Sequence, residues 1–331
     1  MQEEFDLVII GGGPIGLNCA IEAKKAGLKY VILEKGVLVN SLYNFPTNMT
    51  FFSTSNLLEI GGVPFIAHND KPTRRESLEY FRRVLDSWNL NIMLYTEVTS
   101  MNAINKGLYQ IETTKGLFTT KSVIVATGFY DTPRLLNIPG ESLPKVSHFF
   151  GDPHPFVGQK LLVIGAANSA CDVALESYLK GADVTMAIRE EEIYPKAKYW
   201  IKPNIENRIK DGSIKAFFKS TVKEIRDTEV ILNTPEGETT IANDFVMAMT
   251  GYKPNYKLFS SLGISIEDDE YQTPIHNAET LETARSNVYI AGVINAGLKT
   301  STLFIENTRV HAKMIIQDII QKRNSSAKTS T

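Results

Sequence analysis

The chain has 331 residues, enough for two domains with cores of their own, and its 43% hydrophobic and 22% charged content is that of an ordinary globular protein. A formal net charge of −2 offers no basic field for nucleic acid or an anionic membrane surface, so neither is expected as a partner. No apolar run approaches the roughly 18 residues of a membrane helix. Residues 5–10 are too short for a signal-peptide core and lack a basic leader, so the expected location is cytoplasmic.

The first element is a strand over residues 5–10. It runs into Gly11-Gly12-Gly13-Pro14-Ile15-Gly16 and then an amphipathic helix reaching about residue 26. A G-x-G-x-x-G between strand and helix lets the backbone approach a pyrophosphate, while free N–H groups and the positive end of the helix hold the anion. A second strand, Tyr30–Leu33, ends at Glu34, 18 residues after Gly16. An acid there accepts from ribose hydroxyls and suits a nucleotide without a 2′-phosphate, NAD or FAD rather than NADP. Residues 43–62 are rich in turn formers and aromatics and read as a loop. Residues 74–90 read as a helix with Leu78, Phe81, Leu85 and Trp88 on one face. Short alternating strands are expected over 92–121, then a buried strand over 122–126 that runs into Thr127-Gly128.

Residues 131–158 carry five prolines and read as a connector. A second βαβ unit comes next, with a strand over 161–164, the turn Gly165-Ala166-Ala167-Asn168-Ser169-Ala170, a helix, and a strand over 183–188. In this turn Ala167 and Ala170 stand where the first has glycine. The last strand ends at Arg189, whose guanidinium can grip a 2′-phosphate bidentately, with Lys196 and Lys198 as further positive charge. NADPH is the favoured reading. The alternative is that Glu190, Glu191 or Glu192 serves a ribose of NADH, with the lysines on a solvated loop face.

Short strands over 215–241, a buried strand over 244–249 ending at Thr250-Gly251, a strand over 288–291 running into Gly292, and a helix over 302–320 complete the chain. The polar tail from residue 322 reads as disordered. Both halves share one plan of glycine turn, crossover helix, small antiparallel insert, and strand ending in Thr-Gly. The chain after Gly251 has no glycine turn of its own and so completes the first domain around an inserted second one. The expected fold class is α/β, with two Rossmann-like dinucleotide-binding domains. Two nucleotides in one chain imply electron transfer between them.

Gly11 to Gly16, Glu34-Lys35, Ala126-Thr127-Gly128, the second turn and Gly251-Tyr252-Lys253-Pro254 together resemble the low-molecular-weight thioredoxin reductase-like flavoproteins over nearly the whole chain. Several segments resemble the bacillithiol-disulfide reductase branch: Ser41-Leu42-Tyr43-Asn44-Phe45-Pro46-Thr47, Phe51-Phe52-Ser53, Val63-Pro64-Phe65-Ile66, Trp200-Ile201-Lys202-Pro203-Asn204, Tyr289-Ile290-Ala291-Gly292-Val293 and Phe304-Ile305-Glu306-Asn307. The resemblance implies an FAD domain of residues 1–130 and 254–323, an inserted NADPH domain of residues 131–253, a disordered tail over 324–331, and a homodimer. It implies flavin contacts at Gly11, Gly13, Pro14, Ile15, Gly16, Glu34, Lys35, Tyr43, Asn44, Thr47, Val98, Ala126, Thr127, Gly128, Gly292, Val293, Phe304 and Ile305. It implies NADPH contacts at Gly165, Ala167, Asn168, Ser169, Ala170, Arg189, Lys198 and Gly251.

Two departures concern redox thiols. A thioredoxin reductase carries Cys-x-x-Cys-Asp ahead of its second glycine turn, and that slot here reads His148-Phe149-Phe150-Gly151-Asp152. Direct dithiol reduction of thioredoxin is thereby excluded. Members of the bacillithiol branch carry a cysteine after the proline of the first turn, and here that residue is Ile15. The two cysteines present, Cys19 and Cys171, read as small buried helix residues. His148 is either a general acid or nicotinamide neighbour, or a linker histidine bonded to backbone. His276 and His311 read as loop and helix-surface residues. No metal site is expected. The acceptor implied by resemblance is a low-molecular-weight disulfide. A small redox protein such as ferredoxin or flavodoxin is the alternative, with a flavin monooxygenase and a non-enzymatic flavin sensor behind it.

Overall fold

The computed structural model describes residues 4–105 and 107–329. The chain divides into two compact units. One comprises the residues up to Asn44, Asn48–Thr132 and those from Tyr252 onward; the other comprises Phe45–Thr47 and Pro133–Gly251.

In the first unit, β1 (Glu4–Ile10) leads through the glycine turn into α1 (Pro14–Lys25) and β2 (Tyr30–Leu33). Two single-turn helices follow, α2 (Asn40–Tyr43), which ends where the expected loop begins, and α3 (Ser55–Leu58), which interrupts that loop. The helix α4 (Arg74–Trp88) is closed at its N-terminus by a Thr73/Glu76 capping box. Its buried face is Ser77, Tyr80, Phe81 and Val84, rotated from the expected stripe because Tyr80 is drawn in by hydrogen bonds of its hydroxyl to the backbone at Ile60 and Val63. Next come β3 (Ile92–Met93), β4 (Val98–Asn105), β5 (Leu108–Thr113) and β6 (Gly116–Val125). The last is one continuous strand where two were expected: its first half pairs antiparallel with β5, and it runs parallel to β1 from Thr119 to Val125.

The second unit holds β7 (Val146–Ser147), β8 (Lys160–Ile164), α5 (Asn168–Leu179), β9 (Asp183–Ala187), α6 (Lys202–Lys210) and β10 (Lys215–Phe217). An antiparallel meander of β11 (Thr221–Ile225), β12 (Glu229–Thr234) and β13 (Gly237–Ala242) precedes β14 (Phe245–Ala248). The proline-rich connector thus contributes a strand, since β7 pairs parallel with β14. The chain then returns to the first unit with α7 (Tyr256–Ser261), β15 (Val288–Ile290), α8 (Ile305–Thr308) and α9 (His311–Thr329).

The described strands of the first sheet run β3-β2-β1-β6-β5-β4, with β15 also parallel to β6. Those of the second run β10-β9-β8-β14-β7, all parallel. In each sheet the chain builds to one side of the strand that enters the glycine turn, β1 or β8, and then crosses to the other. The crevice lies at that switch, between β1 and β6 and between β8 and β14, and ligands of open α/β sheets bind at its carboxyl edge. Apolar side chains fill the faces beside these strands: Val8, Ile10, Val125 and Ile290 in the first unit, Leu161, Val163, Val184 and Met247 in the second. Among the described residues no helix is long and apolar enough to cross a membrane.

The C-terminal region departs most from expectation. The helix foreseen over 302–320 is broken between α8 and α9, and the tail read as disordered continues α9 to Thr329; residues 330 and 331 lie outside the described part. Side-chain anchoring explains the extension. Lys322 reaches Glu282 at 2.6 Å and Asp318 at 2.7 Å, and the buried Tyr289 hydroxyl donates to Asp318 Oδ2 at 2.6 Å. Tyr289→Phe is therefore expected to lower unfolding free energy by about 1–3 kcal/mol, because it leaves a half-buried carboxylate short of a donor. Urea denaturation monitored by circular dichroism checks it, and an unchanged midpoint refutes the anchor.

Candidate nucleotide-binding sites

The first glycine turn separates two roles among its glycines. Gly11 adopts φ +108°, and a Cβ there would lie 2.6 Å from Ala126 O; a Cβ on Gly16 would lie 1.9 Å from Gly11 O. These two are fixed by packing of β1, α1 and β6 on one another. Gly13 differs: it caps α1 with ordinary extended backbone, and a Cβ there meets nothing within 4 Å. The space beside it is the cradle a pyrophosphate needs. Pro14 takes the first helical position, where no N–H is required, and no side chain caps the helix, so its first-turn amides stay open.

Glu34 directly follows β2 and meets this turn. Its Oε2 accepts the Gly12 N–H at 2.7 Å and its Oε1 accepts the Gly36 N–H at 2.8 Å. Burial pushes this carboxyl above its usual range, against the pull of the two amides. The residue therefore braces the turn as well as offering its remaining lone pairs to a ribose. Lys35 pairs with Asp131 at 2.6 Å. Across the crevice, Ala126 N–H bonds Ile10 O at 2.8 Å, Gly128 is left-handed at φ +65°, and Thr127 Oγ1 is buried without a hydrogen-bond partner. An open cradle, an orphaned hydroxyl and a buried acid around one switch point fit a dinucleotide with a free ribose, as FAD has.

Ala291 N–H continues the β15 ladder to Val125 O, and a Cβ on Gly292 would lie 3.3 Å from Ile15. Gly292 thus belongs to the same site as the first turn, with Val293 directly beyond it. Ile15 itself is buried. Phe304 caps α8 and is exposed, and Ile305 opens that helix. Tyr43 O accepts from Arg74 Nε at 3.1 Å, and Asn44 bonds back to Asn40 O. Val98 is buried among Val8, Val31 and Leu33. Thr47 is not brought to this unit: its N–H bonds Gly151 O at 2.8 Å, inside the second. Sequence reasoning missed three supports: Asn18, whose amide donates to Arg309 O; Arg309, which donates to Asn56 O and Glu59 O; and His311, whose Nδ1 accepts the Gly292 N–H at 3.1 Å. All three act on backbone across long sequence separations, which no local pattern signals.

The second turn is built the same way with less room. Gly165 has φ +123°, and a Cβ there would lie 2.8 Å from Met249 O and 3.3 Å from Ala170 Cβ. Ala167 caps α5 and is exposed, and Ser169 lies in the first turn of that helix. The Asn168 side chain accepts the Lys198 N–H at 3.0 Å, tying residues 189–201 to the start of the helix. Arg189 is exposed, its Nε 2.6 Å from Glu190 Oε1. Glu191 pairs with Lys219, and Glu192 lies 3.8 Å from Lys202. The Lys198 ammonium is buried, 5.5 Å from the Trp200 ring centre. Gly251 is left-handed at φ +86°, and its carbonyl accepts the Arg134 N–H.

His148 comes directly after β7, with Nε2 3.1 Å from Glu141 Oε1. The same carboxylate accepts the Leu136 and Asn137 N–H groups, so the pair is woven into the connector. Cys19 and Cys171 are fully buried. Burial pushes both thiols up to about 12, with Glu22 adding to the first and Asp172 and Glu206 to the second. Among the described residues no cluster of His, Cys, Asp and Glu is placed to hold a metal ion.

Two crevices of this kind, each at a switch point between parallel strands, define a two-nucleotide α/β redox architecture. Residues 8–292 match the family described as pyridine nucleotide-disulphide oxidoreductase, and the chain belongs to it. It is 43% identical over 318 residues to the bacilliredoxin reductase Bdr of Bacillus subtilis, covering 96% of this chain and 98% of that one. Among solved structures it is similar to the bacillithiol disulfide reductases Bdr (YpdA) from Bacillus cereus and Staphylococcus aureus, at 40% and 41% identity, each with a TM-score of 0.94. Each match covers 97% of this chain, and 100% and 99% of the respective other. The protein is a flavoprotein oxidoreductase that uses FAD and NADPH.

The glycine geometry yields a discriminating pair of variants. Gly13→Val should fold normally, because nothing surrounds its Cβ, yet lose bound flavin. Gly16→Val should fail to fold. Flavin absorbance per chain beside a far-ultraviolet spectrum reads both. Full flavin occupancy in folded Gly13→Val refutes the cradle.

Proposed function

We propose that the first unit binds FAD through Gly11 to Gly16, Glu34, Ala126 to Gly128 and Gly292-Val293, and that the second binds NADPH through Gly165 to Ala170 and Arg189. FAD, when bound, relays two electrons from NADPH to the acceptor. The acceptor is a low-molecular-weight disulfide of the bacillithiol class, in keeping with the Bacillus and Staphylococcus relatives. In balanced form, NADPH, one proton and the disulfide give NADP⁺ and two thiols. The chain acts as a cytoplasmic homodimer, which light scattering at twice the chain mass would check. His148 serves as a brace of the connector through Glu141.

The observation that carries the mechanistic part is the absence of a usable thiol. Ile15 fills the position after the turn proline, and both cysteines are buried with thiols raised far from neutrality. Only a thiolate attacks a disulfide, so no mixed disulfide with the protein forms. The same observation favours a second reading, in which the acceptor is a ferredoxin or flavodoxin that needs no thiol at all. NADPH oxidation measured with bacillithiol disulfide, ferredoxin, flavodoxin and oxygen at matched enzyme concentration separates the two. Turnover confined to the protein carriers would overturn the disulfide reading.

NADPH is expected to be preferred to NADH through Arg189. With the guanidinium exposed and shared with Glu190, Arg189→Ala should raise the NADPH KM about tenfold, the low end for a charge-assisted bond, and leave NADH nearly unchanged. Equal losses for both coenzymes would remove Arg189 from the 2′-phosphate site.

Replacing Cys19 and Cys171 together with Ala should leave flavin reduction by NADPH and acceptor turnover within a few-fold of wild type. Reductive titration should consume about two electrons per chain, because one flavin is the whole store. Uptake of four electrons, or loss of turnover in the double variant, would bring a cysteine back into the mechanism.

A further inference from the structure

His311, the first residue of α9, lies at the end of β15 rather than on an open helix surface. It is half-buried, and its Nδ1 accepts the Gly292 N–H at 3.1 Å. An imidazole nitrogen that accepts carries no proton, so the neutral ring holds its proton on Nε2. Burial, helped by the nearby His276, holds this imidazole down to about 4, so the accepting form is the one present at neutral pH. His276 is itself committed, with Nδ1 2.6 Å from Pro274 O, an oxygen that can only accept.

The contact falls at a structurally exacting place. Ala291 N–H is the last amide of the β15 ladder, and Gly292 turns out of the strand with φ +87°. Its N–H is the first amide with no strand partner, and a half-buried amide left without an acceptor is costly. The imidazole of α9 supplies that acceptor from 19 residues away. On the other side of the corner, the buried Asn295 amide donates to Ile290 O at 3.2 Å. Two side chains from different segments therefore finish the same strand. The corner they hold lies against Ile15, where a Cβ on Gly292 would come within 3.3 Å of its side chain.

We propose that His311 is a positioning residue for the flavin, holding the Gly292-Val293 peptide in its binding orientation against the first glycine turn before the cofactor arrives. The proposal rests on assigning the first unit as the flavin site. Preorganisation of this kind is read as cofactor affinity and flavin environment, not as coenzyme binding.

The experiment has two arms. In wild-type protein labelled with ¹⁵N-histidine at neutral pH, the His311 ring should show an unprotonated Nδ1 and a protonated Nε2; the opposite tautomer overturns the proposal without any variant having to fold. In the second arm, apoprotein is reconstituted with FAD. His311→Ala should weaken FAD binding about 3- to 10-fold, the worth of one neutral hydrogen bond, and shift the visible flavin bands, with the NADPH KM unmoved. In His311→Asn the side-chain carbonyl can accept from the same N–H, so affinity and spectrum should return to within about twofold of wild type. An unchanged FAD dissociation constant and spectrum in His311→Ala would refute the proposal, as would an Asn variant no better than Ala. If instead Gly13→Val binds FAD like wild type, the flavin-site assignment fails, and that failure is distinct from one confined to His311.

Discussion

Everything at the first site depends on α1 starting in contact with the backbone of the strand before it. A Cβ at Gly16 would sit 1.9 Å from Gly11 O, and one at Gly11 would sit 2.6 Å from Ala126 O. Three segments therefore meet with no side chain between them. Only this closeness directs the open amides of the helix at the switch point rather than over the sheet. The second unit reaches the same arrangement with an alanine at the corresponding helix position. There the Ala170 methyl fits beside Gly165, which keeps its left-handed conformation at φ +123°. One glycine of the pair suffices if the helix stands off by a methyl group, which is why the degenerate turn still works as a turn.

The two units differ in the charged residue near the end of the second strand of each βαβ unit. Glu34 is buried and spends an oxygen on each of two backbone amides, so the acid belongs to the scaffold as much as to any ligand. Arg189 is 80% exposed and pairs with its neighbouring glutamate. A surface ion pair of that kind is weak and readily exchanged for a phosphate. The position that is rigid in one unit is adaptable in the other.

Much of this was legible in the chain. Tyr30–Leu33 carries the same bounds in sequence and structure, and the two glycine turns fall at the ends of β1 and β8, because a buried parallel strand leading into glycines leaves a strong local pattern. The features that stayed hidden depend on partners far along the chain. The buried face of α4 shares Phe81 with the sequence pattern but turns toward Ser77, Tyr80 and Val84, because Tyr80 is held by the backbone at Ile60 and Val63. The length of α9 was missed because its anchors are Glu282 and Tyr289, some thirty to forty residues back. His311 looked like a surface residue because its burial comes from β15 ending beside it. Periodicity reports which face a segment buries on its own terms, and it carries no trace of a side chain that reaches across the fold to finish another element's hydrogen bonds.

The thiol question turns on four residues of one helix. A cysteine in the position of Ile15 would lie within the first turn of α1, where open amides and the helix dipole favour a thiolate. Cys19 lies one turn further in, fully buried, with its thiol pushed up to about 12. A single turn of helix thus separates a reactive environment from an inert one, and this chain has its cysteine on the inert side. Neither position therefore offers a thiolate to a disulfide. Ile15 itself is buried, with its side chain packed toward Gly292, so it closes the start of α1 and offers no group to an acceptor. An acceptor that relied on capture by a protein thiol gains nothing from this site.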